Sequence, residues 1–232
     1  MKIAIIGHGK MEKAIESVAL ERGHTIFFKT NITNKNITKF IDIAIDFCAT
    51  SSTFRNIYDT IQNNISVVSG TKGWPNEIKK IEQKVHKEKL SFIYSSNFSI
   101  GVNLFFILNK YFSSLMKNNN YSVELNEMHH SKKIDSPSGT AISLTNDIIS
   151  NSNYEKWTSR NRSNQTTIKI KSLRENNQIG THSVSYNSIF DSIPIKNKSY
   201  SREAYATGAV IAAEWLIGKI GVFLMSYMLK SK

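Results

Sequence analysis

Short apolar runs alternate with helical spacings through the first hundred residues. Residues 2–6 (KIAII) are an apolar run ending at a glycine turn, which predicts a first strand. Residues 10–22 place Met11, Ile15, Val18 and Ala19 on one helical face, and Gly23 stands where helices commonly stop. Residues 24–29 (HTIFFK) predict a second strand, 30–38 a polar loop and 42–48 (DIAIDFC) a third strand. Then come a helix over 53–63, a strand over 66–69 (SVVS), a charged amphipathic helix over 75–89 with Pro75 at its start, and a strand over 90–95. Strand and helix alternating with short connections imply a parallel sheet covered by helices, with the doubly wound Rossmann-type fold in the lead.

The pattern changes after Asn97. Residues 101–117 predict a long apolar helix, 121–130 (YSVELNEMHH) a strand and 140–150 a helix. The segments 166–175, 178–188 and 191–200 alternate apolar and polar positions with polar turns between them, as antiparallel strands do. Residues 203–217 form a helix rich in small residues, and a last apolar stretch, VFLMSYML, follows. The expected fold class is therefore α/β: a Rossmann-type doubly wound parallel sheet plus a second α+β domain with a mixed or antiparallel sheet. Residues 1–97 and 206–232 are expected to form the dinucleotide-binding domain, and 98–205 the substrate-binding and oligomerisation domain.

Charge narrows the function classes. The net charge of +12 invites a nucleic-acid reading. Yet 24 lysines stand against 6 arginines, spread along the chain rather than gathered in one basic arm. That distribution, with abundant Ile and Asn, points to compositional drift of an AT-rich kind rather than to nucleic-acid binding, with part of the charge available to attract an acidic substrate and a phosphate-rich cofactor. No stretch is apolar enough to cross a membrane, and the first residues lack a signal-peptide pattern. The single cysteine, Cys48, leaves no internal disulfide and fits a reducing, cytoplasmic setting.

The chemistry concentrates in residues 129–140, HHSKKIDSPSGT. Imidazole exchanges protons near neutral pH, and a lysine can act as an acid or clamp a carboxylate. The turn around Ser138, Gly139 and Thr140 can aim hydroxyls and N–H groups at an anion, at the start of a helix that favours negative charge. The stretch reads as a place where a small acidic unsaturated molecule is held and protonated. A metal is not expected: His129 and His130 lack a third ligand at convincing spacing, and Lys132 and Lys133 repel a cation.

A second cluster follows the first strand. Gly7, His8, Gly9, Lys10, Met11 and Glu12 stand between a strand and a helix, the context of a dinucleotide fingerprint. The last fingerprint position calls for glycine and holds Glu12, whose carboxylate crowds or repels a phosphate unless it points away. Lys29 ends the second strand where an NAD-preferring site usually carries an acid, so it tilts the cofactor toward NADPH. Gly70, Thr71 and Lys72 follow another strand, in the crevice where nicotinamide sits on such sheets. Cys48 reads as a core residue, His182 as structural, and His24 and His86 as surface residues.

Taken in order, the glycine turn, SGTKGW, SSNFSIGVNL, EMHHSKKIDSPSGTA and SREAYATGAVIAAEWL resemble the 4-hydroxy-tetrahydrodipicolinate reductases, also called dihydrodipicolinate reductases. The resemblance runs from Met1 to about Leu229, and its central motif is highly specific. It implies NADPH- or NADH-dependent reduction of a small dicarboxylic cyclic imine in diaminopimelate and lysine biosynthesis, by a homo-oligomer, usually a tetramer. It further implies His129 and Lys133 as catalytic acids, His130 as a substrate contact, and Ser138, Gly139 and Thr140 as the carboxylate turn. Gly70 to Lys72 and Ser95, Ser96, Asn97 and Phe98 match segments near the nicotinamide, and Arg202 a hinge position near cofactor or substrate. The chain departs from the pattern at Glu12, at Lys72 (often threonine) and at Ser136 (often alanine). The alternative is another two-domain Rossmann oxidoreductase acting on an acidic imine or keto substrate.

Overall fold

The computed structural model describes residues 1–28, 40–48, 50–70, 77–160, 165–176 and 178–231, without the side chains of 28 and 50–52. Lys29, Thr71 and Lys72 therefore lie outside the described residues. Two compact units emerge, Met1–Asn103 with Arg202–Lys232, and Leu104–Ser201.

The first unit is built on six parallel strands. In chain order the elements are β1 (Lys2–Ile6), α1 (Lys10–Glu21), β2 (Thr25–Phe28), β3 (Ile43–Asp46), α2 (Thr50–Gln62), β4 (Ser66–Ser69), α3 (Ile78–Lys87) and β5 (Ser91–Tyr94). The chain returns through α6 (Glu203–Leu216), β11 (Gly221–Leu224) and α7 (Met225–Lys230). The strand order is β11-β5-β4-β3-β1-β2. β1 pairs with β2 on one side and β3 on the other, so the winding reverses at β1 and opens the crevice where ligands sit on open α/β sheets.

Apolar side chains on both faces of these strands explain the double covering. Ile3, Ile5, Ile43, Ile45, Val68 and Ile93 pack under α1, α6 and α7. Ala4, Ile6, Ala44, Val67 and Phe92 pack under α2 and α3. The terminal stretch VFLMSYML resolves into a sixth strand and a short helix, because β11 extends the sheet beside β5. His24, expected at the surface, is half-buried: its Nε2 meets Glu214 Oε1 at 2.8 Å, and Arg22 forks onto the same carboxylate. That carboxylate holds the end of α1 against α6.

The small residues of α6 have a steric reason. Ala206, Gly208, Ala209, Ala212 and Ala213 are buried and let the helix lie close to its neighbours. A Cβ on Gly208 would run into the carbonyl of Phe98. Gly208→Ala is expected to destabilise the protein by roughly 3 kcal/mol, the upper range for overpacking a core. The shift of the urea unfolding midpoint at constant slope checks this, and an unchanged midpoint would contradict the close approach.

The second unit follows α4 (Ile100–Met116). It comprises β6 (Ser122–His129), α5 (Gly139–Ser150), β7 (Lys156–Thr158), β8 (Thr167–Arg174), β9 (Gly180–Asn187) and β10 (Ser192–Ser199). The sheet order is β10-β9-β6-β8-β7. β9 runs antiparallel to both β6 and β10, as alternation suggested. β8 does not: it runs parallel to β6 and to β7, a short strand the pattern did not reveal. Crossing through α5 between β6 and β8 makes a parallel pair, and alternation records which face is buried, not strand direction. Val123, Leu125, Ile168, Ile170, Val184 and Tyr186 pack with Leu144 and Ile148 of α5 and Phe105 of α4.

Candidate functional site

The sheet of the second unit brings together residues far apart in sequence. In the antiparallel ladder Glu127 stands opposite His182, and in the parallel ladder His129 stands opposite Arg174. Period-two alternation puts Glu127 and His129 on one face of β6, and that face is buried. Exposure is 1% for Glu127, 7% for His129, 6% for His182 and 3% for Ser138, so four polar side chains share a dry place and must satisfy one another.

They gather around one carboxylate. The Ser138 N–H donates to both oxygens of Glu127 at 3.1 Å. Arg174 Nη2 reaches Glu127 Oε1 at 3.4 Å and donates to the Asp135 carbonyl at 2.7 Å. His129 Nδ1 lies 3.6 Å from Glu127 Oε2, and His182 Nε2 lies 3.7 Å from it. The two rings meet edge to face, 4.9 Å between centroids. His129 Nδ1 is buried without a hydrogen-bond partner. A catalytic contact that is long in the free protein and tightens with substrate behaves this way.

Ser138 also sets the helix. It is the N-cap of α5: its Oγ accepts from the Ala141 N–H at 3.2 Å and meets His182 Nε2 at 3.1 Å. Its hydroxyl is thus already engaged, and Gly139 and Thr140, half-buried in the first turn, offer the anion-binding N–H groups. Lys133 donates to Asp135 Oδ1 at 2.6 Å, and its N–H is held by the His130 carbonyl. The His130 side chain is half-buried.

Charge in the cluster is divided unevenly. Burial pushes the Glu127 carboxyl up, but the donors of Ser138 and the positive charge of His129 outweigh it, and the group sits below the usual carboxylate range. Burial lowers the His129 imidazole; Glu127 pulls it up, Lys133 and Arg174 push it down, and the net is downward. Burial and the charge of His129 lower His182 to about 4. These directions favour an ionised Glu127 and a neutral His182, with His129 held below the usual imidazole range.

Glu127, His129 and His182 each offer a ligand atom within 4.8 Å of the others, the only such trio among the described residues. Spacing along the chain concealed it, since His182 enters from another strand. The set suits a proton better than a metal ion: Glu127 and His182 are already bonded to Ser138, and Arg174 and Lys133 place positive charge beside it.

In the first unit the glycine turn follows β1 at the switch point. Gly7 has φ of +106°, a left-handed value that favours glycine. Gly9 is the N-cap of α1, His8 and Lys10 are exposed, and Met11 packs against the core. Glu12 does not point away: its Oε1 lies 2.7 Å from where a Cβ on Gly7 would be, and its Oε2 lies 2.7 Å from that of Gly9. Backbone and glycines fit a dinucleotide; the carboxylate must swing out to admit one.

The remaining predicted residues scatter around this unit. Gly70 follows β4, and a Cβ there would enter the Phe47 ring. After β5, Ser95 Oγ donates to the Asn97 carbonyl and accepts the Asn97 N–H, while Asn97 Oδ1 accepts the Ser99 N–H. This self-bonded turn leaves Ser96 exposed. Phe98 is 1% exposed and packs in the core with its ring tilted against Phe47, 5.5 Å between centroids, so only its backbone remains for a ligand. Arg202 is exposed at the N-cap of α6. Burial pushes the Cys48 thiol up to about 12, which keeps it unreactive.

A doubly wound sheet with a glycine turn at its switch point, and a second unit carrying a buried acid–imidazole cluster beside cations, define a nucleotide-dependent oxidoreductase. Residues 22–98 match the family "Dihydrodipicolinate reductase, N-terminus" and residues 101–229 match "Dihydrodipicolinate reductase, C-terminus". The chain belongs to the dihydrodipicolinate reductase family. It is 42% identical over 233 residues to the 4-hydroxy-tetrahydrodipicolinate reductase of Christiangramia forsetii, covering 99% of this chain and 98% of that one. It is 33% identical over 204 residues to that of Wigglesworthia glossinidia brevipalpis, covering 88% of this chain and 73% of the other. The dipicolinate-bound dihydrodipicolinate reductase from Paenisporosarcina sp. TG-14 shares the fold with a TM-score of 0.78 at 20% identity, over 97% of each chain.

Proposed function

We propose that this protein reduces 4-hydroxy-tetrahydrodipicolinate to tetrahydrodipicolinate in the diaminopimelate and lysine pathway, with His129 as the proton donor. The observation that carries the assignment of roles is the buried Glu127–His129–His182 cluster with Lys133 and Arg174 beside it. The bound nicotinamide supplies hydride. Loss of the 4-hydroxyl as water gives a conjugated cyclic imine; hydride added to that imine leaves an electron-rich carbon, to which His129 gives its proton, and Lys133, released from Asp135, is the second acid. The N–H groups of Gly139 and Thr140 and the His130 side chain hold the substrate carboxylates. Gly7 to Lys10, Gly70 and the Ser95–Asn97 turn hold the cofactor; Lys29 favours NADPH over NADH. Residues 1–97 with 206–232 serve the nucleotide, and 98–205 the substrate and assembly into a homo-oligomer, a tetramer. No helix among the described residues is long and apolar enough to cross a membrane, in keeping with a cytoplasmic enzyme.

The test is a coupled assay in which the cyclic substrate is generated in place and oxidation of NADPH and of NADH is followed. No oxidation of either, by folded protein, removes the reading.

A pH profile separates free from bound enzyme. Protonated His129 is the active form, so the rate falls as pH rises through its pKa. In the free protein burial holds that pKa below its ordinary value of about 6.5, which places the alkaline limb of kcat/KM there. A dicarboxylate bound beside the ring stabilises the imidazolium, so the limb of kcat is expected at higher pH. Coincident limbs in both profiles would contradict that coupling.

A further inference from the structure

The glycine turn carries a contradiction within this chain. Gly7 and Gly9 clear space in front of the N-terminus of α1, where backbone N–H groups and the helix dipole favour an anion. The Glu12 side chain fills that space, each of its oxygens 2.7 Å from a missing Cβ. It is only 8% exposed, unusual for a glutamate on the first turn of a surface helix, so it is packed into the turn rather than solvated. Two more groups close the place: Cys48 Sγ lies 3.1 Å from the same Gly7 position, and Asp46 at the end of β3 is fully buried with its Oδ2 unpartnered. A pocket of about 230 Å³ beside the turn takes in Glu12 and Glu16 against a single lysine, Lys13.

We propose that Glu12 is a built-in competitor for the cofactor's pyrophosphate, so that this chain binds its dinucleotide only after expelling its own carboxylate. The inference rests on the nicotinamide reading above and goes beyond it. A carboxylate at the third helical position puts its negative charge in the first turn of α1, where the helix N-terminus favours an anion. The entering phosphates meet both its volume and its charge. The proton-donating cluster of the second unit is untouched by this conflict, so the deficit falls on cofactor affinity.

Direct titration of the full-length protein with NADPH and NADH, by calorimetry or nucleotide fluorescence, tests this on wild type, Glu12→Gly and Glu12→Gln. Thermal melts establish that each variant folds. Glu12→Gly is expected to tighten NADPH binding by roughly tenfold or more, and Glu12→Gln, which keeps the volume but removes the charge, by less. Adenosine, which has no phosphate, is expected to bind all three alike. Equal or weaker NADPH binding by folded Glu12→Gly overturns the proposal while leaving the nicotinamide reading intact. Tightening of adenosine by the same factor also overturns it, because the effect would then not lie at the phosphates. Failure of all three proteins to bind either dinucleotide removes the nicotinamide reading itself.

Discussion

His129→Ala is expected to lower kcat by about 10²–10⁴-fold, the usual contribution of a positioned general acid. The His129 imidazole has a buried ring nitrogen, Nδ1, with no hydrogen-bond partner, 3.6 Å from the Glu127 carboxylate. The donors of Ser138 hold the Glu127 carboxyl below the usual carboxylate range, and burial lowers the His182 imidazole to about 4, which makes both poorer proton donors near neutral pH. Lys133→Ala is expected to lower kcat by roughly a hundredfold or more if the ammonium beside Asp135 serves as the second acid, as proposed. The two losses should not multiply in the double variant if both groups serve one proton transfer. Steady-state kinetics on the cyclic substrate, with NADPH titrated separately, reads both effects. Rates within threefold of wild type for both single variants would remove the assignment, on the scale of about 10² or more that general acids contribute.

Glu127→Ala should be the most destabilising single change in the second unit. It strips Arg174 and the Ser138 N–H of their common acceptor and the two imidazoles of the adjacent negative charge, and removing one member of a buried charged set costs about 3–5 kcal/mol. Glu127→Gln preserves the shape and keeps an acceptor for Ser138, so it should fold better yet still react slowly. Without the carboxylate, the Lys133 and Arg174 charges push the His129 pKa further down, and the alkaline limb of kcat/KM should move to lower pH. A purely structural glutamate would leave that limb in place. The stability gap has its own pH dependence. The folded pKa of Glu127 is depressed, so its contribution is fully present above the unfolded value of about 4.3 and is lost as pH falls through the folded value. Urea denaturation should therefore show wild type and Glu127→Gln well separated at pH 7 and converging in acid. A gap that widens in acid would reverse the sign and refute the ionised state.

Much of the fold was readable from spacing. Period-3.6 patterns located α1, α4 and α6 to within a residue or two, and apolar runs located β1, β3, β4 and β5, because each face of these elements meets a core. Strand direction was not readable: β8 alternates like β9, and only the crossover through α5 makes it parallel to β6. The site divided the same way. His129, Lys133 and the Ser138–Thr140 turn lie within one short segment whose residue types declare their chemistry. Glu127 and His182 gave no such signal, one a glutamate in an alternating strand and the other a histidine more than fifty residues on. Arg174, inside the strand expected over 166–175, was not singled out.

By itself the sequence determined the class of elements and the family, and singled out residues 129–140 as the candidate proton-donating loop, because periodicity and residue type are local properties of a chain. Tertiary structure alone decided that Glu127, His182 and Arg174 surround His129, since sheet register sets those neighbours across strands. It also decided that Glu12 turns inward over Gly7 and Gly9, because the space those glycines leave open exists only once strand, turn and helix are assembled.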